Sequence, residues 1–237
     1  MSSWSAKPSG GYNRTSTEAK NNILCARDIL VNEYGYTLQA VAGIMGNAQA
    51  ESGFNPWRWQ SDSYNTSAGY GLFQFTPASG YISLPSSTPN LSTSVQTEGA
   101  TAEDGANQVR VFASNALAKW VSSCWRSYWD SSTYSEAYER SKHCLNTWGN
   151  GSRITMSQFA KCADVEDSAF IFLACFEGPA VPTTYTTRQA NARWIYDNIL
   201  SGTEPPEPPE PPEPEPAPTK PPPIWLYKKL SEVHRLW

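Results

Sequence analysis

No stretch of this sequence approaches the ~18 consecutive apolar residues of a membrane-crossing helix, so membrane insertion is not expected. The opening residues, MSSWSAKPSGGYN, contain no apolar h-region, and no ordinary secretory signal is expected from them. Basic charge is in deficit: 18 Lys+Arg against 22 Asp+Glu leave a net of −4, where a nucleic-acid module would carry a basic excess. Metal ligands are sparse. There are 2 histidines, no HExxH and no CxxC pair, so no zinc site is expected. Carboxylates near the C-terminus are separated by prolines and make a poor calcium cage. The GxGxxG and Walker patterns are missing, and no cofactor is expected. Five cysteines at wide, irregular spacing point to reduced, buried thiols. A thiol peptidase would need its cysteine at a helix start beside an imidazole. Here Cys25 lies inside the helical pattern NNILCARDIL, His143 adjoins Cys144, and His234 falls in the tail.

What is present is a core and a proline-dense arm. The chain has 237 residues, between one and two domains at ~150 residues each. Hydrophobic residues make up 39% and aromatics 13%, enough to bury a core. Of 19 prolines, 12 lie between Pro205 and Pro223, which leaves 19 − 12 = 7 elsewhere. That density excludes helix and sheet, because each ring fixes φ and removes a donor. A polyproline II spacer follows, reaching roughly 60 Å at ~3.1 Å per residue. After it, Leu226, Leu230, Val233 and Trp237 recur at helical spacing in IWLYKKLSEVHRLW. This short amphipathic helix reads as a docking peptide on a stiff arm, or as a segment that folds back on the body. The expected organisation is a flexible N-terminal segment (1–15), a folded domain (16–203), a linker (204–223) and the docking peptide (224–237).

Inside the folded part, Thr15 to Glu18 fits a capping box, and the helix it opens stops near Tyr34-Gly35. A second helix begins after Thr37 and runs to about Ser52-Gly53, with Val41, Ile44, Met45 and Ala48 as its apolar stripe. Residues 54–75 read as irregular or hairpin-like. Residues 101–125 read as a helix with Val109, Phe112, Leu117 and Trp120 inward. Thr155 to Leu200 reads as three short helices broken at Ala163-Asp164 and Gly178-Pro179. The expected class is mainly α (α+β), with a small β element after the second helix.

One carboxylate stands in an unusual place. At roughly 100° per residue, Glu51 falls about 20° outside the stripe edge set by Ile44, at the last turn of its helix. Partial desolvation and the negative end of the helix dipole both disfavour an anion there. A glutamate so placed keeps its proton near neutrality, as a general acid must. The alternative is a helix-end carboxylate turned into water. The segment FNPWRWQSDSYNTSAGYGLFQFTP then supplies Trp57, Trp59, Tyr64, Tyr70 and Phe75 among amides and hydroxyls. Aromatic faces stack on sugar rings while Asn, Gln and Ser read hydroxyls, and Gly69 and Gly71 let backbone approach a sugar. The same cluster also fits a plain core.

GIMGNAQAESGFNP followed by GYGLFQFTP resembles the two leading motifs of the lysozyme-like superfamily. More closely, the chain is similar to the phage tail lysozyme family, whose late segment is matched by MSQFAKCADVEDSAFIFLACFEGPAVPTTYTTRQANARWIYDNI. The likeness spans about Thr17 to Leu200. It departs at Gly178, where the family usually has a basic residue before the proline. The resemblance implies a lysozyme-like domain in which Glu51 is the general acid. Gln74 is then the glutamine of the G-L-x-Q turn, and Glu177 the acidic residue of the late motif, in a structural hydrogen bond near the cleft. It implies cleavage of the β-1,4 bond between N-acetylmuramic acid and N-acetylglucosamine in bacterial peptidoglycan. Gln74, Trp57, Trp59, Tyr70 and Glu177 would then contact the glycan. It further implies a phage particle, and the stiff arm and terminal peptide 224–237 fit that idea, since they could tether the enzyme to another tail protein. A free endolysin held in the host cytoplasm until lysis is the alternative.

The second catalytic group stays open at this level. Asp62, 62 − 51 = 11 residues downstream, could stabilise the oxocarbenium or activate water, or it could simply close an Asx turn. Thr76 is a second candidate for positioning the water. Without either, the sugar's own hydroxyl attacks, and one glutamate suffices for lytic transglycosylation. A non-catalytic glycan-binding module and a structural tail protein are the rivals from other classes.

Overall fold

The computed structural model describes residues 2–84, 102–123 and 132–202. The expected linker and docking peptide lie outside the described residues. Helix α1 (Thr17–Tyr34) starts at Ser16, whose side chain accepts from the Ala19 N–H at 3.1 Å. The expected box is displaced by one residue: Thr15 gives its N–H and hydroxyl to Asn13 Oδ1 instead. Gly35, at φ 67°, closes α1 in the left-handed conformation that a helix C-terminus favours. The Thr37 hydroxyl caps α2 (Leu38–Ser52), which ends at Gly53. Residues 2–12 lie along these helices through hydrogen bonds. Ser5 donates to Asn22 Oδ1, Lys7 to Asn55 Oδ1, and Tyr12 to the Gly53 carbonyl.

The stripe residues of α2 are fully buried, but so is every residue from Ala40 to Ala48. A helix covered all round is the centre of its bundle rather than a one-sided surface helix. Residues 54–77 then form an irregular lobe. The small β element amounts to two isolated antiparallel bridges, Trp59 with Tyr70 and Tyr70 with Phe75. A short helix, α3 (Ala78–Ile82), follows the lobe.

α4 (Ala102–Ala113) is shorter than the 101–125 helix expected. Asn115 and Ala118 take φ of 53° and 50°, which no continuing helix permits. Val109 and Phe112 are buried as expected, and Leu117 and Trp120 pack on the core from the turns beyond. Residues 124 and 125 lie outside the described residues. The sequence reading passed over α5 (Ser135–Trp148). It docks through buried Asp167, which accepts from Trp148 Nε1 at 2.7 Å and lies 3.0 Å from Arg140 Nε.

The three helices expected after Thr155 are present as α6 (Met156–Phe159), α7 (Val165–Phe172) and α8 (Tyr185–Ile195). α7 and α8 each run on into a wider π-type turn, Leu173–Glu177 and Tyr196–Leu200. Asp164 caps α7 by accepting from the Glu166 and Asp167 N–H groups. Both helices press on α2 at its glycines. A Cβ on Gly43 would come within 2.5 Å of Ser168, and one on Gly46 within 2.7 Å of Ala192 N.

Gly46→Ala should therefore destabilise the protein by about 1–3 kcal/mol, because backbone of α8 has to move. A urea midpoint lowered without a change in slope is the expected result.

Candidate active site

An open cavity of about 460 Å³ lies where α2, α8 and the lobe converge. Glu51 enters it from the last turn of α2, Arg188 from the first turn of α8, and Glu177 and Pro179 from the turn after α7. The lobe contributes Arg58, Gln60, Ser61, Gln74 and Thr76, and the turn after α4 contributes Lys119.

Glu51 is not alone there. Its Oε1 accepts from Arg188 Nη2 at 2.5 Å, and the two side chains are 21% and 10% exposed. Arg188 Nη1 also donates to Asn47 Oδ1 at 3.0 Å, one helical turn before Glu51. Asn47 in turn donates to the Gly43 and Ala169 carbonyls, at 2.8 and 3.0 Å. One fully buried amide thus ties α2, α7 and α8 together behind the cavity. Desolvation at this helix end, visible in the sequence, is met by a guanidinium that lies 188 − 51 = 137 residues away.

Glu177 has a different environment. Its Oε1 is buried with no hydrogen-bond partner. Burial, and then the charge of Glu51, hold this carboxyl well above the usual carboxylate range, against the opposing pull of Arg188 and Lys119. Burial also pushes the Lys119 ammonium down, while Glu177 and Glu51 act to hold its charge. Lys119 Nζ sits 5.7 Å from the ring centre of Phe176 and 5.9 Å from that of Phe75.

The structure brings Glu51, Gln74, Thr76 and Glu177 into this one cavity and leaves the other expected residues outside it. Gln74 stands at φ 44° and spends its Nε2 on the Arg58 and Gly71 carbonyls, both at 3.0 Å. It fastens two turns of the lobe, and Gly69 is needed beside it: a Cβ there would meet Gln74 Oε1 at 2.7 Å. Thr76 donates to the Gln74 carbonyl. Asp62 faces elsewhere: its Oδ1 accepts from the Gly10 N–H at 2.7 Å and lies 3.6 Å from Arg58 Nε. Trp59 and Tyr70 are packed inside the lobe at 4% and 0% exposure, with ring centres 4.6 Å apart, so no sugar reaches their faces. Trp57 is half-buried against the core.

The lobe is held by a buried acid that the sequence reading missed. Asp104 on α4 accepts from the Tyr70 and Tyr81 hydroxyls, each at 2.6 Å, and from Gln108 Nε2 at 3.0 Å. Gln108 Oε1 takes the Leu72 N–H at 2.7 Å, and Gly71 leaves it room, since a Cβ there would approach to 2.3 Å. The only available signal was a polar pair four residues apart on a helix read for its apolar face. Arg58, Gln60, Ser61, Lys119 and Arg188 were likewise not singled out.

The cavity thus combines a half-buried acid–arginine pair at the end of the central helix with a glutamine turn of the lobe. The sequence pattern of the phage tail lysozyme family matches residues 21–199. The chain belongs to the phage tail lysozyme family. It is 42% identical over 74 residues to Morphogenesis protein 1 of Bacillus phage B103, a stretch that covers 27% of this chain and 20% of that protein. The chain thus matches about a fifth of that relative's length. This is a phage lysozyme-like protein, and among its described residues no helix is long and apolar enough to cross a membrane.

Burial pushes the Asp104 carboxyl up to about 6 from an ordinary 3.8, although its three donors act to lower it. The folded state therefore binds the proton more tightly than the unfolded chain does. Its ionised form costs stability above about pH 6, and that cost is relieved as pH falls towards 4. Asp104→Asn should flatten this part of the stability–pH curve by on the order of 2–3 kcal/mol, read as urea midpoints between pH 4.5 and 7.5.

Proposed function

We propose that this protein is a lysozyme-type glycoside hydrolase that cuts the β-1,4 bond between N-acetylmuramic acid and N-acetylglucosamine in bacterial peptidoglycan. The observation that carries the reading is the placement of Glu51 on the wall of an open polar cavity, at the last turn of the central helix. The cavity's polar lining suits a glycan's hydroxyls and amides. Family membership supports a glycosidase reading. In the reaction, Glu51 protonates the leaving O4 while the sugar gains oxocarbenium character, and water completes the cleavage. Arg188 then receives the Glu51 carboxylate at the geometry it already has, which stabilises the charge left behind.

Wild-type protein should lyse purified walls, and Glu51→Gln should lose about 10²–10⁴-fold in rate while remaining folded. Equal rates, including equal inactivity, would defeat the enzyme reading in favour of a glycan-binding module. Mass spectrometry of the products should show reducing muramic acid ends; anhydromuramyl ends would reassign the chain as a lytic transglycosylase.

The proposed setting is a phage tail, where the enzyme opens the wall locally during genome delivery. The relative's name, a morphogenesis protein of a phage, supports a particle role. Removal of residues 224–237 should abolish association with particles and leave wall lysis in solution unchanged; retained association would remove the docking role.

A further inference from the structure

The cavity that holds Glu51 contains a second carboxyl, Glu177, to which the proton transfer from Glu51 to O4 gives no part. Glu177 ends the π-type turn after α7, and Gly178 at φ 59° turns the chain away immediately afterwards. Its Oε1 is buried and unpaired, whereas the buried acids among the described residues, Asp104 and Asp167, each have several partners. Buried polar atoms are nearly always satisfied, and the exceptions concentrate where a reaction uses them. The charged groups that face Glu177 are Glu51 from α2, Arg188 from α8 and Lys119 from the turn after α4.

The two carboxyls are unequal. Glu51 accepts from a guanidinium, which has donors only, so the oxygen it offers there carries no proton. Burial of the Glu177 carboxyl and the nearby negative charge both favour its neutral form. The rest of the lining is ill-suited to taking a proton from water: guanidinium groups, an ammonium, amides and two hydroxyls. Asp62, the other acid the sequence brought forward, is held by the Gly10 N–H and does not line the cavity.

We propose that Glu177 is the second catalytic carboxyl, passing its proton to Glu51 when glycan binds and taking one back from the attacking water. This rests on the glycosidase reading above. The steps balance. The Glu177 O–H bond breaks as the proton moves to Glu51; Glu51 then gives it to O4 as the C1–O4 bond breaks. The water oxygen bonds to C1, and its proton returns to the Glu177 carboxylate. The sum is one glycan and one water giving two shorter glycans, with both carboxyls restored. While Glu51 holds the proton, the Glu177 charge is met by Lys119 and Arg188; once Glu51 has given the proton to O4, Arg188 pairs with Glu51 again and Lys119 faces Glu177 until the water's proton returns.

Glu177→Gln in the full chain tests this, because an amide fills the same space and cannot carry the proton. The expected result is a kcat loss of at least about 100-fold with KM within about threefold, and an alkaline limb of kcat/KM moved at least about one pH unit towards acid. A kcat within about fivefold of wild type, or an unmoved limb, overturns the proposal. Carboxyl-carbon NMR titration of the full chain provides a second measurement that needs neither turnover nor a folded Glu177 variant. The Glu177 midpoint should fall in Glu51→Gln, where the facing charge is gone; identical midpoints in the two proteins overturn the proposal. An inactive Glu51→Gln with a fully active Glu177→Gln removes only the role of Glu177. A fully active Glu51→Gln removes the glycosidase reading itself.

Discussion

The site depends on one buried arginine. Arg188 is 8% exposed and joins the carboxylate of Glu51 to the amide of Asn47, two residues one turn apart on the central helix. Its guanidinium fits this task because its donors lie in a fixed plane and can serve both partners at once. It offsets the cost of half-burying Glu51: an unpaired carboxylate at a helix C-terminus is disfavoured by desolvation and by the helix dipole together. The close seating of α8 on Gly46 brings the arginine within reach. Backbone packing and site electrostatics are therefore one constraint seen from two sides.

The lobe opposite is built with little regular structure, and its order comes from side chains instead. Asp104 and Gln108 satisfy two tyrosine hydroxyls and backbone groups of the lobe from one face of α4. Phe73 enters the helical core from the turn between Leu72 and Gln74, with ring centres 5.6, 5.8 and 6.0 Å from Phe112, Phe172 and Phe176. Full burial of such a ring stabilises by about 1.5–3 kcal/mol, which is enough to fix a strained neighbour such as Gln74 at positive φ.

Much of the helical frame was legible because it is written locally. Thr37 and Gly53 bracket α2 by cap chemistry, and Gly35 and Gly178 stop their helices for the same reason. The Ser16 cap was misplaced by one residue because Thr15 and Ser16 are both competent hydroxyls. What was not legible is pairing at long range. The Glu51 partner lies beyond most of the intervening fold, and periodicity carries no information about it. Burial of aromatics was misread for a related reason: alternation in Trp57-Arg58-Trp59 says which residues share a side, not whether that side faces a groove or the interior. Trp59 and Tyr70 face the interior, while Arg58, between the tryptophans, reaches the cavity.

The anchoring of the lobe through Phe73 has a consequence for how such a slot changes its width. Phe112 and Phe172 do not line the cavity, yet they set the depth to which the Phe73 ring seats, and Gln74 follows Phe73 in the chain. Interior volume two layers away is thus geared to the gap between lobe and helices. Resizing those hidden rings would widen or narrow the gap with every residue that lines it left as it is.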